Sequence, residues 1–278
     1  MIYREVVRID EPEQQVGMTP SHRVRPLLPM GDWTGSDPFL ALMEDWFPRG
    51  VFDKHPHRGI ETVTYVIDGH LDHYDNRGNG GAIRAGEAQW MTAGRGLIHN
   101  EIPAEGVTAH TLQLWVNLPA ADKLTEPRYQ DLTEATVPVH SAPGARVRVF
   151  SGASHGVKSA TRNHVPVTLL EITLDPGATN VEIVPADWTA FLLVLSGVGT
   201  VGAWATTVRA GQVVRLAHAD ADAELTVTAT TPLRALLFAG RPLREPVVAH
   251  GPFVMNTREQ IVQAYQDYRN GGFGPMEA

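Results

Sequence analysis

His55-Pro56-His57 and, further along, His99-Asn100-Glu101 are the residues of this chain whose types and spacing could do chemistry. In an extended strand side chains alternate between faces, so the outer two residues of each triplet point the same way, and two such strands can bring them to one point. Three imidazoles and a carboxylate meeting there make a metal site. The chain contains no cysteine, so nitrogen and oxygen alone would hold the ion, which favours a catalytic or sensing metal over a structural zinc. Such a set suits one divalent transition metal, Fe(II), Mn(II), Ni(II), Cu(II) or Zn(II). It leaves positions open on a six-coordinate ion for dioxygen or a chelating substrate. Pro56 lacks a ladder donor, which suits a sheet edge or barrel rim, and Arg58-Gly59 supplies a turn or bulge beside it.

The identity of the carboxylate is open at this level. Glu61, four residues beyond His57, and Glu101, two beyond His99, both have matching strand parity, and spacing does not choose between them. The remaining histidines read as ordinary. His70 and His73 fall in the segment HLDHYDNRGNGG and are expected in an exposed turn. His22, His140, His155, His164 and His218 are expected in polar loops, and His110 begins the strand that carries Gln113 and Trp115, near the pocket.

The elements that must position these residues are strands. Short runs dense in β-branched and aromatic residues, among them ETVTYVIDG, LQLWVNLP, PVTLLEITLDPG and AFLLVLSGVG, alternate with Gly, Pro and Asp turns, which predicts an all-β protein. The order repeats. Arg84-Ala85-Gly86-Glu87 returns as Arg209-Ala210-Gly211-Gln212, VTYVIDG ending at Gly69 returns as FLLVLSG ending at Gly197, and LQLWVNLP has an analogue in RALLFAGRPL. Offsets of roughly 120 to 130 residues predict two tandem jelly-roll β-sandwiches. Shifted by that offset, the histidine pairs land on EIVPAD and near Ala223-Glu224, so the second copy is expected to keep the scaffold without the metal. TEATVPVHSAP, with two prolines and no apolar periodicity, predicts a linker at 136–142 between domains 1–135 and 143–278. A short C-terminal helix is expected near 257–270. Thr257 to Gln260 spell a capping box, Ile261, Tyr265 and Tyr268 fall on one face, and Gly271-Gly272 supply the stop.

Composition excludes some classes of function. A hydrophobic content of 43% allows a sizeable core. The formal net charge of −8, with no long basic run, argues against direct DNA binding. No apolar run approaches the ~18 residues of a membrane span, and the opening MIYREVVRIDEPEQQ is charged where a signal peptide is apolar, so a cytoplasmic location is expected.

The strings HPHRGIETVTYVIDG, QWMTAGRGLIHNE, LQLWVNLP and REPVVAHGPFVMNT resemble the pirin family, bicupins of the cupin superfamily, from about Phe39 to Tyr268. The resemblance implies one non-haem metal, Fe(II) first among the candidates, held in the first cupin by His55, His57, His99 and Glu101. It would settle the carboxylate on Glu101 and leave Glu61 as a buried supporting acid. Some members resemble quercetin 2,3-dioxygenases, which open flavonols with O2. For this chain that implies a flavonol and O2 as substrates, Glu101 as the base for the 3-hydroxyl proton and Gln113 as a substrate hydrogen-bond partner. Other members resemble non-catalytic regulators that bind a transcription factor or a metabolic enzyme. An acidic surface suits such a protein partner better than DNA.

Overall fold

The repeated tetrads make one turn twice. In the computed structural model, which describes residues 2–31 and 33–275, Glu87 Oε2 accepts from the backbone N–H of Arg84 at 3.0 Å. Gln212 Oε1 accepts from that of Arg209 at 2.8 Å. Gly86 and Gly211 have φ of 80° and 86°, a conformation that a β-carbon would strain. Each donates its N–H to a strand carbonyl, Val66 or Val194.

The chain packs as two compact units, Glu13–Glu134 with Leu243–Ala278, and Met1–Pro12 with Ala135–Pro242. Each holds a seven-stranded and a four-stranded antiparallel sheet. The large sheet of the first unit runs Arg128–Leu132, Ala88–Thr92, Ile60–Asp68, Thr108–Asn117, Phe39–Pro48, Arg23–Leu28, Gln15–Val16. That of the second runs Val6–Asp10, Val213–Leu216, Thr189–Ser196, Leu233–Gly240, Val167–Leu174, Ala145–Ser151, Val139–Ala142, place for place the same topology. The small sheet of the first unit is His55–His57, Leu97–Pro103, His70–Asp75, Gly80–Arg84. In the second unit the inward faces of the two sheets close on an apolar core, Val147, Leu170 and Leu192 against Val184, Val208 and Leu225. Each such burial contributes about 1.5–3 kcal/mol. In the first unit Phe47, Val66 and Ala109 meet Leu71 and Ile83 in a smaller cluster, and a separate apolar cluster gathers Leu40, Ile60, Met91 and Leu97.

The domain boundaries differ from those read off the sequence. The chain does pass between units at Glu134–Ala135, but its ends are exchanged. Val6–Asp10 lies at the sheet edge beside Val213–Leu216, the place that Arg128–Leu132 takes beside Ala88–Thr92. An edge needs a strand, and a distant stretch of chain can supply it. Residues 136–142 are no linker, because Val139–Ala142 pairs with Ala145–Ser151. Pro138 and Pro143 flank this strand at an edge, where a missing N–H costs nothing.

The helix is Arg258–Arg269, with both hydrogen bonds of the Thr257–Gln260 capping box in place. It packs in the first unit rather than the second. Ile261 and Ala264 are buried, and Tyr265 and Tyr268 lie against Phe253, with Tyr268 also against Phe273. Met1, Asp32 and Met276–Ala278 lie outside the described residues. No helix among the described residues is long and apolar enough to cross a membrane.

Candidate metal centre

The strand His55–His57 pairs antiparallel with Leu97–Pro103, which sets His55 opposite His99 and His57 opposite Leu97. The two strands are neighbours in one sheet, and their shared parity turns all three imidazoles to one face. One nitrogen from each of His55, His57 and His99 lies within 4.8 Å of the other two, a convergence suited to one shared ion. Ring centroids are 4.4 Å apart for His55 and His99, 4.9 Å for His55 and His57, and 5.1 Å for His57 and His99.

In each ring the other nitrogen is already engaged. His55 Nδ1 donates to the carbonyl of Asp53 at 2.8 Å and His57 Nδ1 to that of Pro252 at 3.3 Å, which leaves the Nε2 lone pairs available. His99 Nδ1 lies 3.1 Å from His73 Nε2. His99 Nε2 is buried and finds no hydrogen-bond partner among the described residues, a situation that costs about 1–3 kcal/mol for a buried polar atom. Coordination would satisfy it, and the donor set therefore fits a divalent transition metal. For Nε2 to offer its lone pair the proton must sit on Nδ1, and His73 Nε2 is then the acceptor.

Burial keeps this group neutral. It pushes His57 down to about 3 and His73 down to about 4, and holds His99 well below the usual imidazole value, with neighbouring histidines adding to the effect. His55 is lowered for the same reason. Neutral imidazole is the form that binds metal.

Glu101 shares the cavity, but its carboxylate stands apart from the cluster of three. The Thr64 hydroxyl and Gln113 Nε2, the latter at 2.8 Å, donate to it. Register explains why. Glu101 pairs with His73, beyond the end of the His55–His57 strand, and Thr64 and Gln113 are paired opposite each other in the large sheet. Burial pushes the Glu101 carboxyl up to about 7, although both hydrogen bonds favour its ionised form. Glu61 does not compete for the site. The turn at Gly59, with φ of 80°, resets parity after His57. Glu61 sits an odd number of residues from Thr64 and so faces away, fully buried, accepting from Thr92 Oγ1 at 2.7 Å.

The cavity holds about 680 Å³, and its lining includes His55, His57, Glu101 and Gln113 together with Trp115, Met43 and Phe52. The Trp115 ring stands edge-on to His57 at 5.1 Å. A metal, a carboxyl of raised proton affinity and apolar walls together suit a flat aromatic chelator.

Family models for pirin and for the pirin C-terminal cupin domain match residues 13–116 and 169–274. Human pirin is 42% identical over 259 residues, covering 91% of this chain and 88% of its own length. The chain belongs to the pirin family. Its two jelly rolls are thus the tandem cupin domains of a bicupin. Among solved structures, GK1651 from Geobacillus kaustophilus is 49% identical with a TM-score of 0.86, over 88% of this chain and 99% of that one. A quercetin 2,3-dioxygenase from Acinetobacter baumannii is 30% identical with a TM-score of 0.87, over 99% of both chains.

In this pirin-family chain several histidines stand elsewhere than expected, His70 and His140 among them in the strands His70–Asp75 and Val139–Ala142. His73 is buried in the strand His70–Asp75 and touches His99, instead of lying in an exposed turn. The alternation of Leu71, His73 and Asp75, all buried, was the available signal. His22 is buried against Asp45 and lines the cavity, and nothing in its flanking residues marked it. His110 points to the opposite face of its strand from Gln113, bonded to Glu44 and stacked on Trp46 at 4.3 Å.

Proposed function

We propose that this chain is a metal-dependent oxygenase of the quercetin 2,3-dioxygenase type, cleaving flavonols with O2. The observation that carries the reading is the buried Nε2 of His99, without a partner among the described residues and set between His55 and His57. Such an atom suits a metal site rather than a packed histidine trio. The ligands assigned are His55, His57 and His99, with Fe(II) as the resident ion in keeping with a nitrogen and oxygen donor set; Glu101, expected as the fourth, stands apart from the three and is assigned the proton-accepting role. When bound, the ion would supply Lewis acidity toward the flavonol oxygens and redox access to O2. The likeness to the Acinetobacter enzyme supports the substrate class.

Glu101 accepts the proton of the flavonol 3-hydroxyl. Burial raises its proton affinity, and Thr64 and Gln113 hold it toward the cavity. Gln113 thereby acts as a positioning residue, its amide spent on Glu101 rather than on the substrate. Trp115, Met43 and Phe52 hold the flat ligand and exclude water.

The test is oxygen uptake and carbon monoxide release by the anaerobically iron-loaded protein on addition of quercetin. The expected result is turnover that His57→Ala abolishes while the circular dichroism of a β protein remains. Absence of turnover with Fe, Mn, Ni, Cu and Zn alike would overturn the assignment.

A further inference from the structure

A second polar pair sits inside the same cavity. Met18 donates its backbone N–H to His22 Nδ1 at 3.0 Å, so the proton of the neutral ring is on Nε2, which donates to Asp45 Oδ1 at 2.8 Å. Asp45 is 6% exposed and lines the cavity. Its Oδ2 has no hydrogen-bond partner among the described residues. We infer that Asp45, oriented by His22, recognises a hydroxyl donor on the end of a planar chelating substrate remote from the metal cluster. This rests on the flavonol reading and extends it to the substrate's substitution pattern.

The pair is held in place from several sides. A β-carbon on Gly17 would stand 2.2 Å from His22 Nδ1, so the bare glycine lets the chain close over the ring and bring the Met18 N–H to it. Phe47 and Phe52 meet the same ring edge-on at 6.2 and 5.2 Å. Its distance from the metal cluster follows from register. Strands Phe39–Pro48 and Thr108–Asn117 form a wall of the cavity with rungs Ala41/Trp115, Met43/Gln113 and Asp45/Thr111. Trp115 touches His57, Gln113 holds Glu101, and Asp45 lies four residues beyond Ala41. At ~3.3 Å per residue Asp45 therefore lies roughly 13 Å along the strands from the Trp115 rung and roughly 7 Å from the Gln113 rung that holds Glu101, a span that a two- to three-ring planar molecule covers. Between the two polar ends the wall offers Met43, and Phe47 lies one rung beyond Asp45. A buried acceptor in such a setting discriminates sharply against ligands that leave it unpaired.

The experiment uses the redox-inert zinc-loaded protein, so that binding is read without turnover. It is titrated, with ligand absorbance as the signal, against 3-hydroxyflavone, 3,7-dihydroxyflavone and 3,4′-dihydroxyflavone. One dihydroxy compound is expected to bind about tenfold or more tighter than 3-hydroxyflavone. In Asp45→Asn the His22 N–H keeps its oxygen acceptor while an amide donor replaces Oδ2. The advantage should then fall below about twofold, with 3-hydroxyflavone affinity little changed. Equal affinities for all three compounds in the unaltered protein, or an advantage that survives Asp45→Asn, would overturn this inference alone. Failure of every flavonol to bind would overturn the flavonol reading and this inference with it. The wild-type series decides the matter even if the variant does not fold.

Discussion

Each imidazole of the cluster owes its usable lone pair to what its other nitrogen touches. For His55 and His57 that partner is a backbone carbonyl, but for His99 it is another side chain, His73. Partners of this kind fix ligand tautomer and orientation. His73→Phe should retain the ring's packing against Tyr129, whose centroid is 4.6 Å away, while removing the acceptor. Metal affinity is expected to fall by about 10–100-fold with the thermal transition of the apo protein little changed, read by competition against a chromophoric chelator. Unaltered affinity would reduce His73 to a packing residue. At this scale the three imidazoles were legible in the spacing of His55, His57 and His99. The place of the Glu101 carboxylate was not, because it depends on Thr64 and Gln113 in the other sheet.

Strands carry the site, and the turns between them decide which side chains enter it. Gly59 joins the His55–His57 strand to Ile60–Asp68 with φ of 80°, and a β-carbon there would meet Val254 O at 2.0 Å and Lys123 Cδ at 3.1 Å. Gly59→Ala should therefore lower stability by about 2–4 kcal/mol, seen as a reduced urea midpoint, and weaken metal binding through His57. The same strand plan is repeated without the chemistry in the second unit. There Thr179–Val184 turns Asn180 and Glu182 inward, and Asn180 faces Val227 much as His55 faces His99. Glu182 is satisfied by Ser154 at 2.8 Å and Asn180 at 2.9 Å. The partner of the inward pair is thus Val227 rather than the Ala223-Glu224 stretch reached by a constant offset, since loops of unequal length shift the register between the copies.

At the scale of the whole molecule, residues 243–278 return to the unit that carries the cluster, and a buried lysine clamps them there. Lys123 Nζ donates to Gly59 O at 2.8 Å, Asn117 Oδ1 at 2.6 Å and Val254 O at 3.0 Å, all neutral acceptors. Burial pushes its pKa from 10.5 down to about 7. Between those values the unfolded chain holds the proton that the folded protein sheds, so stability rises with pH across the window, and the penalty is fully present below about 7. Relative to Lys123→Met, the wild-type protein should gain on the order of a few kcal/mol from pH 7 to pH 10. Urea midpoints of both proteins at the two pH values check this, and parallel profiles would contradict it.

The all-β class, the duplicated strand plan, the capped helix and the three imidazoles could all be read from residue order alone. All are written in local rules: strand parity, turn glycines, the Thr257–Gln260 box and the repeated Arg-Ala-Gly tetrads. Long-range packing was needed to exchange the chain ends between units, to bring His73 and His22 inside, to turn Glu61 away and to aim Asp45 into the cavity. Those outcomes depend on contacts between residues far apart in the chain, on register across strands and on one positive-φ turn that resets parity, and no local pattern of residue types encodes them.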